Sequence, residues 1–215
     1  MASIPLPDSD KTKLQLLKMK HHFVLYIDFK SPYSYLSLEP TFRLAESHDV
    51  NFEFRPFILN IPEVYGDLGS RDDQQWRKVR YLYKDVRRFA NDRGLVIYGP
   101  EKIFDSRLAT IGMLFSQLKN RFKLYATLVF ERFFKRELDM EDEIKLAELI
   151  EEVGLDRADF LSFVQDPGPK KLDQIVTKAT KEGVFGVPIF VFQGELFWGY
   201  DRMGVLTKAL KAANG

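Results

Sequence analysis

Two short stretches hold the residues whose types and spacing could do chemistry. The first is Ser31-Pro32-Tyr33-Ser34, directly after the apolar run that ends at Phe29. A serine opening a helix sits among unpaired backbone N–H groups at the positive end of the helix dipole, a position that favours an anion, a thiolate included. Ser31 would serve equally well as a plain N-cap, with Pro32 at the first helical position. The second stretch is "EGVFGVPIFVFQGELFWGYDR", Glu182 to Arg202. A Val-Pro bond entering a strand is a candidate cis peptide, which would leave the backbone of Val187 open to an extended peptide at an edge, although Pro188 could be a simple edge-strand proline. Gly199-Tyr200-Asp201 offers further backbone N–H groups at a helix start, where an aspartate is more often a cap.

The chain has no cysteine, so it carries no disulfide, no zinc-thiolate site and no thiol nucleophile of its own. Any sulfur chemistry must use a thiol brought from outside. Three histidines, His21, His22 and His48, do not suggest a Ser-His-Asp arrangement, and no nucleotide-binding glycine motif or metal-ligand pattern occurs. The acidic run Glu141 to Glu143 falls at an expected helix start, where acids favour the dipole. Lys plus Arg number 32 against 31 Asp plus Glu, a balance that argues against nucleic acid as a partner. The first twenty residues include Lys11, Lys13, Lys18 and Lys20 and lack the apolar core of a secretory signal; no apolar run is long enough to span a membrane. A soluble, cytoplasmic protein is the expectation.

The elements that must position these residues follow from periodicity. His22 to Phe29 is continuously apolar and suits a strand buried on both faces; a helix from Ser31 to about His48 and an alternating strand from Val50 to Phe57 complete a parallel β-α-β unit. From Asn60 to Lys181 the pattern is helical. Asp73 to Gly94 forms one amphipathic helix with Trp76, Val79, Tyr83, Val86 and Ala90 inward, and with Arg71, Lys78, Arg80, Lys84, Arg87 and Arg88 forming a solvated basic face or an anion stripe. Further helices are predicted over Asp105 to Leu118, Phe122 to Phe134, Glu141 to Val153, Arg157 to Val164 and Pro169 to Lys181, with Phe130, Phe133 and Phe134 in the core. "VPIFVF" and "ELFWG" flank a Gln193-Gly194 turn, and a last helix is predicted over Asp201 to Ala212.

Together, "DFKSPYSYLSLE" and "GVFGVPIFVFQGELFWGYDR" resemble the signature segments of the 2-hydroxychromene-2-carboxylate isomerases and kappa-class glutathione transferases, from about Phe23 to Ala212. The resemblance implies a DsbA-like α/β thioredoxin-like fold, β-α-β then β-β-α, with a large helical insertion. The corresponding division is an N-terminal extension (1–21), a thioredoxin-like domain (22–59 and 182–215) and a helical insertion (60–181). It also implies glutathione as cofactor. Ser31 would hydrogen-bond the glutathione sulfur and hold it as thiolate, acting as activator and not as nucleophile. Val187, before the presumed cis Pro188, would pair with the cysteinyl part, while the backbone near Tyr200 and the Asp201 carboxylate would receive the γ-glutamyl end. Tyr33, Tyr83 and Trp198 would wall an aromatic substrate. The implied reaction is reversible thiolate addition to an unsaturated aromatic-catabolic compound, bond rotation and elimination, carried out by a homodimer. The alternatives are a kappa-like transferase or peroxidase, marked by net glutathione loss, and a non-catalytic thioredoxin-fold binding module. Two departures stand out: Tyr200 replaces a short polar residue, and "NIPEVYGDLGSRDD" lacks the Lys and Asn-Pro-Pro pattern, leaving Arg71 as a possible anion partner.

Overall fold

The computed structural model describes residues 21–48 and 50–214. The expected N-terminal extension therefore lies outside the described residues, except His21, which opens the first strand. Strand β1 (His21–Ile27) is followed by α1 (Pro32–His48) and β2 (Val50–Pro56). Then come α2 (Ile61–Tyr65), α3 (Asp73–Asn91), α4 (Arg107–Leu118), α5 (Phe122–Phe134), α6 (Glu143–Glu152), α7 (Arg157–Gln165) and α8 (Gly168–Lys181). Strands β3 (Ile189–Phe192) and β4 (Glu195–Trp198), a 3₁₀ turn (Tyr200–Arg202) and α9 (Met203–Asn214) close the chain.

The four strands form one mixed sheet in the order β2-β1-β3-β4. β1 pairs parallel with β2, as a β-α-β crossover requires, and antiparallel with β3, so Leu25 stands between Phe54 and Phe190. Its uninterrupted apolar sequence is explained by burial on both faces. Phe23, Leu25 and Ile27 point into the main core, while Val24 and Tyr26 meet Ala179 of α8 and Val187 on the other side. Phe23 stacks between Phe52 at 5.1 Å and Phe192 at 4.3 Å, ring geometry that ties three strands together. The β3–β4 hairpin turns at Gln193 and Gly194, with φ of 50° and 82°, the two positive values a tight hairpin turn demands.

The helical block shares its core with the sheet. Tyr35 of α1 stacks on Phe130 at 5.3 Å and on Phe134 at 5.7 Å, and Phe130, Phe133 and Phe134 are buried as the sequence predicts. Local signals start the helices: Asp72 and Gln75 form a reciprocal capping box at α3, Asp142 accepts from Ile144 and Lys145 N–H at α6, and Asp156 accepts from Asp159 N–H at α7. The middle acid of the 141–143 run is thus a cap. Its neighbour Glu141 is held below the usual carboxylate range by the Lys102 ammonium, whose Nζ is 2.6 Å away. One expectation is corrected at the C-terminal end. The last helix does not begin at Asp201: Tyr200–Arg202 forms a 3₁₀ turn, closed by the Arg202 N–H on the Gly199 carbonyl at 3.2 Å, and α9 starts at Met203.

Candidate active site

Ser31 does the work of an N-cap and also faces a cavity. Its Oγ accepts the Ser34 N–H at 3.1 Å, and its carbonyl takes the Tyr35 N–H at 3.1 Å, which fixes the first turn of α1. The other side of the hydroxyl is loosely committed. Among the described residues its only donor contact is 3.5 Å to the Val187 carbonyl, at the outer limit of a hydrogen bond. The Val187–Pro188 peptide is cis, as expected, and Pro188 is anchored by its carbonyl, which accepts the Gly199 N–H at 2.9 Å.

A buried ion pair sets the position of Ser31. Asp28, at the end of β1, accepts the Lys30 N–H at 2.9 Å and the Leu59 N–H at 2.7 Å, while Lys30 Nζ donates to the Leu59 carbonyl at 2.8 Å and lies 3.6 Å from the carboxylate. Both charges are enclosed: the Lys30 side chain is 9% exposed and that of Asp28 0%. The contacts of the pair with the Leu59 N–H and carbonyl tie the exit of β1 to the exit of β2. Sequence reasoning missed this pair, because its third member is about thirty positions away.

The cavity measures about 970 Å³ and is lined by Ser31, Tyr33, Tyr83, Val187, Pro188, Trp198, Tyr200 and Asp201, all eight of the site residues expected from sequence. A space of this size matches a small peptide thiol together with an aromatic ring. Tyr33 Oη donates to Asp85 Oδ2 at 2.8 Å, and burial together with that carboxylate pushes the phenol well above its ordinary value, so it stays neutral. Tyr83 is raised chiefly by burial, with Tyr65 adding to the effect. Trp198 forms the lip of the cavity and not its interior: its side is 56% exposed, its ring meets Phe185 edge-on at 5.0 Å, and Gly186 lies beneath its indole. Tyr200 packs edge-on against Phe89 at 5.3 Å, and Asp201 pairs with Arg202 at 2.7 Å.

The expected basic face of α3 is divided. Arg71 and Lys78 line the cavity, Arg87 donates to the Ile97 carbonyl and Arg88 pairs with Asp85. No helix among the described residues is long and apolar enough to cross a membrane.

Comparison with known proteins agrees with this architecture. A profile of the DSBA-like thioredoxin domain matches residues 23–211. Two proteins named 2-hydroxychromene-2-carboxylate isomerase are similar over nearly the whole domain: one from Pseudomonas putida is 27% identical over 86% of this chain and 92% of its own length, and one from Sphingobium xenophagum is 28% identical over 86% and 95%. A solved structure of a 2-hydroxychromene-2-carboxylate isomerase superposes with a TM-score of 0.75 at 26% identity, covering 89% of this chain and 95% of that one. The resemblance read from two motifs thus extends across the fold. With its β-α-β and β-β-α halves around a helical block, the chain belongs to the family of DSBA-like thioredoxin domains.

Proposed function

We propose that this protein is a glutathione-dependent isomerase of the 2-hydroxychromene-2-carboxylate isomerase type. The observation that carries the reading is the state of Ser31: a cavity-facing hydroxyl at a helix N-terminus, its acceptor side fixed by Ser34 and its proton only weakly engaged at 3.5 Å. That proton can turn to an anion at little cost, and the dipole of α1 adds to the attraction. When bound, glutathione would supply a thiolate that adds reversibly to a conjugated double bond, permits rotation and leaves again. The chain's own residues then bind and orient. Ser31 holds negative charge at the sulfur position, the backbone of Val187 aligns the peptide, and Asp201 exchanges Arg202 for the ammonium of the γ-glutamyl end. Tyr33, Tyr83 and the Trp198 lip enclose the flat acceptor, and the neutral Tyr33 phenol keeps its proton and donates it in a hydrogen bond to Asp85.

The similarity to named isomerases across most of both chains supports this reaction over thiol conjugation. The test is turnover of 2-hydroxychromene-2-carboxylate with substoichiometric glutathione. Many turnovers without loss of thiol are expected, with Ser31→Ala lowering the rate by about 10²-fold, the loss typical of one preorganised donor. Stoichiometric thiol loss would make the protein a transferase, and no thiol-dependent turnover of this or related aromatic compounds would reject the assignment.

A further inference from the structure

The charges around the cavity do not cancel. Asp85 takes the Tyr33 hydroxyl and Arg88, Glu101 pairs with Arg136 at 3.3 Å, and Asp201 pairs with Arg202. Among the cations, Lys30 is matched by Asp28 and Lys102 by Glu141. Two lining cations remain, Arg71 and Lys78, and among the described residues neither has a carboxylate partner.

Arg71 is also held in place. Its Nε donates to the carbonyls of Tyr65 at 2.9 Å and Gly66 at 3.0 Å, and its guanidinium lies 5.0 Å from the centroid of the Trp76 ring. The loop that carries it is closely knit. Gly66 donates its N–H to the Pro62 carbonyl and has a φ of 75° with Gln75 where a Cβ would stand, Ser70 N–H closes a turn on Asp67 at 3.0 Å, and the Asp72–Gln75 box follows at once. With Nε and one ring face occupied, the two Nη groups form a free fork, the geometry that takes a carboxylate through two parallel hydrogen bonds. Tyr83 lines the same cavity as Arg71.

We propose that Arg71 is the anion-recognition residue of the cavity, receiving a carboxylate through its free fork, with the exposed Lys78 as a weaker second cation. The carboxylate can come from the bound thiol or from the aromatic acceptor. This assignment deepens the isomerase reading and rests on it for the identity of the cavity, but its test does not require turnover.

Binding is measured by calorimetry in two arms on the full chain. The first uses trans-cinnamate against cinnamamide without thiol, and the second uses glutathione against its glycine monoethyl ester. In the arm whose acid occupies the fork, the wild type binds the acid about tenfold or more tightly than the neutral probe, as one charge-assisted contact provides. Arg71→Gln abolishes that preference and leaves the neutral probe unchanged. Arg71→Lys retains part of the preference, and Lys78→Gln, an exposed change that does not threaten folding, reduces it by about twofold to threefold. No preference for the acid in either arm of the wild type overturns the proposal, as does equal weakening of acid and neutral probes by Arg71→Lys. Loss of thiol binding in Ser31→Ala with the cinnamate arm intact keeps this result separate from the isomerase reading.

Discussion

A hydroxyl has a donor side and an acceptor side, so Ser31 can cap a helix and still offer its proton to a ligand. Removing it should therefore separate two effects. Ser31→Ala is expected to cost about 0.5–2 kcal/mol of stability through the lost cap, visible in denaturant unfolding, and far more in thiol-dependent activity. A much larger stability loss without functional change would reduce Ser31 to a cap. The Asp28–Lys30 pair works in the opposite sense, through stability. Asp28→Ala strands a buried ammonium and should cost about 3–5 kcal/mol by the same measurement, while lysine replaced together with the acid by apolar residues should recover most of it. At this scale residue type and position relative to strand and helix ends singled out Ser31, Val187, Pro188, Tyr200 and Asp201, and the fold brings all five to the lining of one cavity. The sequence could not show that Asp201 has its own partner in Arg202, nor that Lys30 closes on Leu59, because both depend on backbone paths that residue types alone do not describe.

The elements were legible where one periodicity dominates. Phe122–Phe134 has the bounds that its apolar spacing predicts, whereas the start of α9 shifted because Gly199, at φ 110°, feeds a tight 3₁₀ turn before the α-helix can form. The small residues inside helices carried information that periodicity ignores. Gly112 of α4 lies where α5 brings the Tyr125 ring, whose hydroxyl donates to the Ala109 carbonyl at 2.8 Å, and a Cβ there would collide with the ring. Gly112→Ala should push α4 and α5 apart and cost about 1–3 kcal/mol despite the higher helix propensity of alanine. A thermal unfolding midpoint equal to or above that of the wild type would contradict this close packing.

On the scale of the whole molecule, the cavity is the feature that sequence could least reveal. Its walls come from the β1–α1 junction and the first turn of α1, α2 and the turn after it, one side of α3, the loop before α4 and the segment from Phe185 to Arg202, segments that meet because the sheet and the helical block share one core. The aromatic content of that interior has a consequence for pH. Burial raises Tyr33, Tyr83 and Tyr125, and lifts Tyr35 to about 12, against an unfolded value of about 10. Raised phenols stabilise the fold fully below about pH 10, and that contribution is lost as pH rises through their folded values, so alkaline unfolding should accompany their ionisation. Ultraviolet titration of tyrosinate should show these phenols ionising together with the loss of native structure; independent ionisation near pH 10 in a folded chain would contradict their burial.

The central claim is that the cavity activates a borrowed thiol at Ser31, and ultraviolet absorbance of the thiolate tests it most directly. Glutathione titrated with pH in the presence of excess protein should ionise at least about one unit below the ordinary thiol value of about 8.5, and Ser31→Ala should remove that shift while remaining folded. A free-solution titration curve in the wild type, or the same lowered curve in Ser31→Ala, would contradict the account.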